Sequence, residues 1–270
     1  MKTLASNLCF SLAALALIAA PLLHAETVLI DTKFEQKDDS SKPIAIPKDN
    51  AAIPLITPTA LVEFAASSPA NPSTLRVAKD AIDSITPPYL IMYIGTRVAP
   101  ADAPANSGVV WNLSSSMISQ GVFKVSFDAT ADQTDKTGGR FLVTFKSASG
   151  KSPNAHPGLT PVSLLFSNTG AITIGAAPKG TSTLNYQADR LQHFEMQIDL
   201  DKQVWSLKID TLEVVKEASL ADYLKTAGDG PFNITDVSFT SEGGWGAQPN
   251  ATFILKNVKA TLIVPLPGKK

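Results

Sequence analysis

Polar side chains alternate along one short segment of the chain. Glu195, Gln197 and Asp199 occupy every second position, and side chains two residues apart on a β-strand point the same way. Glycosidic-bond hydrolysis uses two carboxyl groups that flank the bond. Here the middle member of the alternation is an amide, and the second acid is misplaced for such a pair. We therefore interpret the segment as the solvent-facing side of a strand and predict no catalytic residues in it.

The histidines and aspartates give no metal-binding pattern. His156 and His193 are the two histidines outside the N-terminal 25 residues, and they lack cysteine neighbours or a histidine four residues away, as a zinc site would need. Asp128, Asp132 and Asp135 lie close together, but their spacing fits no EF-hand loop. We interpret them as a solvated turn and predict neither a metal ion nor a cofactor.

Sugar binding requires fewer specialised residues than catalysis or metal binding. The face of an aromatic ring, flanked by hydrogen-bonding side chains, is sufficient. Trp245 lies in a glycine-rich stretch with Gln248 and Asn250 nearby, and these three residues are candidate ligand contacts. Trp111, followed by an asparagine, is a second candidate. The alternative for Trp245 is a ring that folds back over the core. Trp205 alternates with aliphatic residues, so we assign it to the core.

The N-terminus has the features of an export signal. Lys2 is followed by an apolar run over residues 8–23, and Ala25 supplies a small residue at the cleavage position. The run is shorter than the roughly 20 residues of a membrane span. We therefore predict a signal peptide over residues 1–25, export to the periplasm or beyond the cell, and no transmembrane segment in the mature chain. Cys9, the only cysteine, lies inside the signal, so disulfides are not expected.

The composition limits the classes of protein to which the chain can belong. The 270 residues are 44% hydrophobic and 17% charged, with a formal net charge of -1. A chain with this balance folds around a core. It has no basic excess that would attract nucleic acid or an anionic membrane.

Most of the chain has a hydrophobic period of two. Phe123, Val125 and Phe127 alternate with polar residues, and segments 140–146, 193–200 and 204–209 repeat the pattern. Glycine-rich turns separate such runs, which predicts an all-β antiparallel sandwich of two sheets. Residues 218–226 are the one predicted short helix. A proline-rich stretch over 36–72 is interpreted as an irregular insertion in a single domain covering residues 26–270.

The order of these strands along the chain resembles that of the concanavalin A-like lectin/glucanase superfamily, whose members are laminin G-like jelly rolls. The resemblance rests on a strand at 125–128, a hairpin over 193–210 and a closing strand at 253–258. Two positions depart from the family pattern: Thr211 follows Asp210 where glycine is common, and Lys256 precedes Asn257 where aspartate is common. The resemblance implies a jelly-roll sandwich, a fold that hosts lectins, hydrolases, lyases and adhesion modules.

From these observations we expect a non-catalytic exported module that binds carbohydrate or associates with the cell surface. Its partner would be a polysaccharide or a cell-surface glycan. One alternative is a divergent polysaccharide hydrolase or lyase of the same fold. Another is a structural envelope protein that binds other proteins, which would expose a large apolar patch.

Overall fold

The computed structural model describes residues 24–32, 52–53, 61–65, 75–78, 85, 89–94, 106–113, 118–132, 139–146, 162–167, 169–175, 184–187, 190–220, 231–243 and 251–265. All regular structure in these ranges is β-strand. The strands are β1 (His24–Thr32), β2 (Ala52–Ile53), β3 (Leu61–Ala65), β4 (Leu75–Ala78), β5 (Tyr89–Ile94), β6 (Asn106–Asn112), β7 (Val122–Asp132), β8 (Gly139–Lys146), β9 (Ser163–Ser167), β10 (Ala171–Ile174), β11 (Leu184–Asn185), β12 (Gln192–Asp199), β13 (Val204–Ile209), β14 (Leu212–Ser219), β15 (Asp236–Gly243) and β16 (Ala251–Pro265).

The strands form two antiparallel sheets of eight. Sheet A has the order β14-β13-β12-β7-β16-β5-β4, and β1 also pairs with β16; sheet B has the order β11-β10-β9-β8-β15-β6-β3-β2. The chain passes repeatedly between the layers, for example from β14 in sheet A to β15 in sheet B and back to β16. The all-β class and the two-sheet jelly-roll sandwich predicted from the sequence are confirmed. In the described part of the chain no helix is long and apolar enough to cross a membrane.

The core between the sheets is filled by every second side chain of the strands. Phe123, Phe141 and Phe194 are fully buried, as the alternating pattern predicts. Phe127 of β7 stacks on Phe194, with ring centroids 4.9 Å apart and planes at 7°. It also meets Phe239 of sheet B edge-on at 5.0 Å and 85°. This aromatic cluster joins the two layers directly.

The outer faces of the two sheets differ in exposure. On sheet B, the outward side chains of Ser163, Ser238 and Leu142 are buried. On sheet A, one end of the outer face carries a small apolar cluster that includes Tyr89 and Ile254. The rest of that face is lined by polar and charged side chains and lies open. Sheet A therefore provides the more accessible outer face of the described sandwich.

Two details of the sequence interpretation need correction. The predicted helix cannot begin at Ala218, because Ala218 lies in β14 opposite Trp205 of β13; residues 221–226 of that prediction lie outside the described residues. Within the stretch 36–72, β3 pairs with β6 and β2 pairs with β3. To that extent the stretch belongs to sheet B and is not an irregular insertion.

Candidate functional site

A groove of about 590 Å³ crosses the outer face of sheet A. It runs over β1, β16, β7, β12, β13 and β14, with a span of roughly 24 Å at the usual 4.8 Å between strands. Its charged lining is balanced, with five lysines and five acids: Lys124, Lys202, Lys208, Lys216, Lys259, Glu26, Glu195, Asp199, Glu213 and Glu217. The groove thus combines cations and carboxylates on one open surface.

Strand register arranges the lining side chains in rows. Residues that are paired across antiparallel strands face the same way, with their Cβ atoms about 5 Å apart. One row contains Glu213, Lys208, Glu195, Ser126 and Lys259. The adjacent row contains Ser206, Gln197, Lys124 and Thr261. Hydroxyl and amide groups therefore lie between the charged groups across the floor.

Asp199 is held at the rim of the groove by the turn that follows β12. Its Oδ1 accepts the Lys202 backbone N–H at 2.9 Å, and its Oδ2 lies 2.9 Å from Lys202 Nζ. Burial alone would raise the pKa of Asp199, but these bonds and the Lys202 charge outweigh it and hold the pKa below its ordinary value. With only 7% of Asp199 exposed, this carboxylate stabilises the turn.

A second cluster, which we call the His193 cluster, consists of Asp128, His193, Glu195 and Asn257 at one end of the groove. His193 Nδ1 lies 2.6 Å from Asp128 Oδ1, and Nε2 lies 3.5 Å from Glu195 Oε1. Asn257 Nδ2 donates to the other Asp128 oxygen at 2.7 Å. Three strands, β7, β12 and β16, therefore contribute to one hydrogen-bonded network.

Two backbone irregularities position this cluster. Asp210, in the turn between β13 and β14, has a positive φ of 53°. Its N–H donates to the His193 carbonyl at 2.7 Å, and its Oδ1 accepts the His193 N–H at 2.9 Å. Asn257 also has a φ of 53° and lies in a bulge between Lys256 and Lys259. Asp and Asn are the residues other than glycine that best tolerate this conformation, so each residue suits the turn or bulge in which it lies.

The two carboxylates stabilise the charged form of His193. Burial lowers the pKa of His193, but the hydrogen bond that its ring donates to Asp128 and the charges of Asp128 and Glu195 outweigh burial and raise the pKa above its ordinary value near 6.5. The ring is 44% exposed. Among the described residues, its nitrogens bond only to carboxylates, so the cluster can hold and release a proton but contains no histidine-activated hydroxyl.

We predict a pH-dependent stability contribution from His193. Because its pKa is raised in the folded protein, the contribution is fully present below about pH 6.5 and is lost as the pH rises through the folded-state value. Urea unfolding of wild type and His193→Gln should show a larger stability difference at about pH 5.5 than at about pH 8.5. Asp128→Asn should reduce the same pH dependence. Equal differences at both pH values would contradict the assignment.

The predicted ligand residues fall in two places. Trp245, Gln248 and Asn250 lie outside the described residues. The flanking residue Ala251 is eight positions from Lys259 along β16, roughly 26 Å at 3.3 Å per residue, so this flank lies away from the groove. Trp111 is fully buried and packs edge-on against Phe239 at 5.5 Å.

The prediction that Trp111 contacts ligand is therefore wrong. The alternation of β6 turns Trp111 inward with Val109, and both residues are fully buried. The assignment of Trp205 to the core is confirmed by its complete burial. Within the described ranges, no three His, Cys, Asp or Glu side chains are grouped to hold a metal ion.

Sequence reasoning missed the His193 cluster. Asp128 and His193 are separated by 65 positions, and only the pairing of β7 with β12 brings them together. The alternating pattern already placed each on the polar side of its strand. The register between the strands was the missing information.

No protein-family model and no curated protein matches the chain. Among solved structures, the laminarinase from Rhodothermus marinus is 10% identical over 90% of this chain and 99% of that chain, with a TM-score of 0.49. A basic winged bean lectin with Tn-antigen is 8% identical over 91% of this chain and 100% of that chain, with a TM-score of 0.44. A sialidase is 16% identical over 74% of this chain, with a TM-score of 0.48, but this chain covers 16% of that chain.

The identities and TM-scores are too low to support an argument about activity, and the chain spans a small part of the sialidase. The function proposed below is therefore inferred from the groove on sheet A.

Proposed function

We propose that the protein is an exported, non-catalytic carbohydrate-binding module and that the groove on sheet A is its binding surface. The observation that supports this most is the composition of the groove floor. Ser126, Gln197, Ser206 and Thr261 lie among lysines and carboxylates, so donors and acceptors are side by side. Sugar hydroxyls both donate and accept hydrogen bonds, and this mixed surface can satisfy both roles.

The dimensions of the groove also favour an extended glycan. Its volume lies within the range of about 300–1,000 Å³ that is typical of ligand sites. It crosses six strands, so it can accommodate several sugar rings in a row. A polysaccharide segment fits this shape better than a single monosaccharide.

Trp245, with Gln248 and Asn250, is proposed as a separate sugar contact. The described lining of the groove includes one aromatic residue, Trp205, whose ring is buried in the core. Ring stacking on a sugar would therefore have to come from elsewhere. Trp245→Ala tests this contact independently of the groove.

Export is proposed on the basis of the N-terminal segment. Cleavage after Ala25 would leave Glu26, which lines the groove, in the retained part of β1. N-terminal sequencing of the protein recovered from the periplasm or the medium tests this directly. An intact N-terminus, or retention in the cytoplasm, would contradict it.

Affinity electrophoresis in polysaccharide-containing gels tests the binding proposal. We expect the wild type to be retarded in at least one gel and the double variant Ser126→Ala/Gln197→Ala to bind about 10-fold more weakly, since it loses two hydrogen-bonding groups. Thr173→Ala is the matched control, because Thr173 is exposed on sheet B. Absence of retardation in every gel, or an unchanged double variant, would contradict the groove assignment.

A divergent hydrolase or lyase is the second candidate, and the His193 cluster is the observation that favours it. His193 and Glu195 could exchange a proton with a glycan lying in the groove. Release of reducing ends or unsaturated sugars by the wild type, and its loss in His193→Ala, would establish this candidate. Binding without any turnover would support the non-catalytic proposal.

The described surface gives little support to a protein-binding envelope role. Its exposed large hydrophobic residues are Val28 and Leu212. They lie on β1 and β14, and sheet A places four other strands between these two. These residues therefore do not form a continuous apolar patch.

A further inference from the structure

We propose that the groove selects an acidic glycan, one that carries carboxylate or sulfate groups, and that Lys124 and Lys259 bind those groups. This inference rests on the proposed carbohydrate-binding function and specifies its ligand class. It follows from the placement and pairing of the charged side chains in the groove.

Lys124 and Lys259 belong to a block of four side chains on two neighbouring strands. Lys124 on β7 is opposite Thr261 on β16, and Ser126 on β7 is opposite Lys259 on β16. The two lysines are therefore diagonal neighbours, with the usual separation of about 7–8 Å. The two exposed ammonium groups and the half-buried Ser126 hydroxyl are donors complementary to the oxygens of a carboxylate or sulfate, whereas Thr261 is buried.

Three of the five groove acids contact a basic side chain outside this block, although Glu195 is also the cross-strand neighbour of Ser126. Asp199 pairs with Lys202 at 2.9 Å, Glu213 lies 3.9 Å from Lys216, and Glu195 lies 3.5 Å from His193. These contacts compensate much of the negative charge along the sheet. They leave the centre of the groove more basic than its rim.

By contrast, Lys124 and Lys259 form no ion pair within 4.0 Å among the described residues. Asp31 is the cross-strand neighbour of Lys259, but the two do not form such a pair. Two like charges on adjacent strands repel each other, and an anion between them is attracted by both. A neutral sugar would leave this repulsion in place.

The surrounding acids favour an anionic glycan over a dense polyanion. Glu26, Glu195 and Glu217 line the same groove, and they would repel a ligand with closely spaced phosphates. Hydroxyl groups between more widely spaced anionic groups can instead bond to Ser206, Gln197 and the carboxylates. The pattern matches a sugar chain with spaced acidic groups.

Isothermal titration of the purified protein with matched ligand pairs tests the inference. The carboxylate pair is oligogalacturonate and its methyl ester, and the sulfate pair is a galactan oligosaccharide with one sulfate per disaccharide and its desulfated form. We expect binding of at least one acidic member and at least 10-fold weaker binding of its neutral counterpart. Lys124→Gln and Lys259→Gln should each weaken acidic-ligand binding about 5-fold, and the double variant about 25-fold. Arg190→Gln is the control, because it removes a positive charge that lies 3.5 Å from Asp210 and outside the lining of the groove, and it should change affinity less than 2-fold.

The other outcomes separate this inference from the proposed function. Equal binding of acidic and neutral members, with unchanged lysine variants, would overturn the acidic preference and leave carbohydrate binding in place. No binding of any glycan here, in the polysaccharide gels or on a glycan array would overturn both. Binding of polyglutamate as tightly as the acidic glycans would show a general polyanion surface and overturn the glycan assignment. The ligand pair whose acidic member binds shows whether the groove prefers carboxylate or sulfate groups.

Discussion

Phe127→Ala is expected to lower the free energy of unfolding by about 4 kcal/mol, within the range for removing a buried aromatic side chain. Phe127 is fully buried and contacts Phe194 in its own sheet and Phe239 in the opposite sheet. Truncation would open a cavity at the junction between the layers. It would also remove two aromatic contacts of favourable geometry.

Urea unfolding followed by tryptophan fluorescence measures this effect. Phe127→Leu is the matched control, because it retains most of the apolar volume and should cost about 1–2 kcal/mol. A loss below about 1 kcal/mol for the alanine variant would mean that the two sheets are not joined through this ring.

Gly121→Ala is expected to destabilise the protein by about 3 kcal/mol, combining backbone strain with a steric clash. Gly121 has a φ of 85°, and a Cβ added there would lie 2.5 Å from the Ile263 carbonyl oxygen. Its own carbonyl accepts the Leu200 N–H at 2.9 Å, and its N–H donates to Asp201 at 3.1 Å. The residue therefore fixes the start of β7 against β16 and the turn after β12.

Gly170→Ala provides a close comparison. Gly170 has nearly the same φ, 84°, but an added Cβ would meet no atom within 4 Å. Gly170→Ala should therefore lower the free energy of unfolding through backbone strain alone, by about 1 kcal/mol. Thermal and urea unfolding of both variants would separate the cost of backbone strain from the cost of the steric clash. Equal losses of unfolding free energy in the two variants would contradict the close approach of Gly121 to β16.

Local periodicity explains why much of the sandwich was predictable. Phe123, Phe141 and Phe194 each lie in a segment where apolar and polar residues alternate, and alternation alone specifies which side chains enter the core. The helix prediction failed at Ala218 because the pairing of β14 with β13 outweighs a short helical spacing. Trp111 was misplaced because its neighbours in sequence did not reveal that β6 lies within sheet B.

The candidate site was less predictable because it depends on register. Lys124 was recognised as an outward residue, but its position diagonal to Lys259 follows from the pairing of β7 with β16, far apart in sequence. The contact between His193 and Asp128 has the same origin. A one-residue change in register would turn each set to the opposite face, so composition and local pattern could not identify these neighbours.

Mapping a bound glycan onto the protein tests the central claim most directly. In an NMR titration with the acidic oligosaccharide that binds most tightly, we expect the largest shifts in the outward residues of β7, β12 and β16, including Lys124, Gln197 and Lys259. The buried outer face of sheet B should remain unchanged. Shifts confined to residues 244–250 or to sheet B at saturation would show that the groove on sheet A is not the glycan-binding surface.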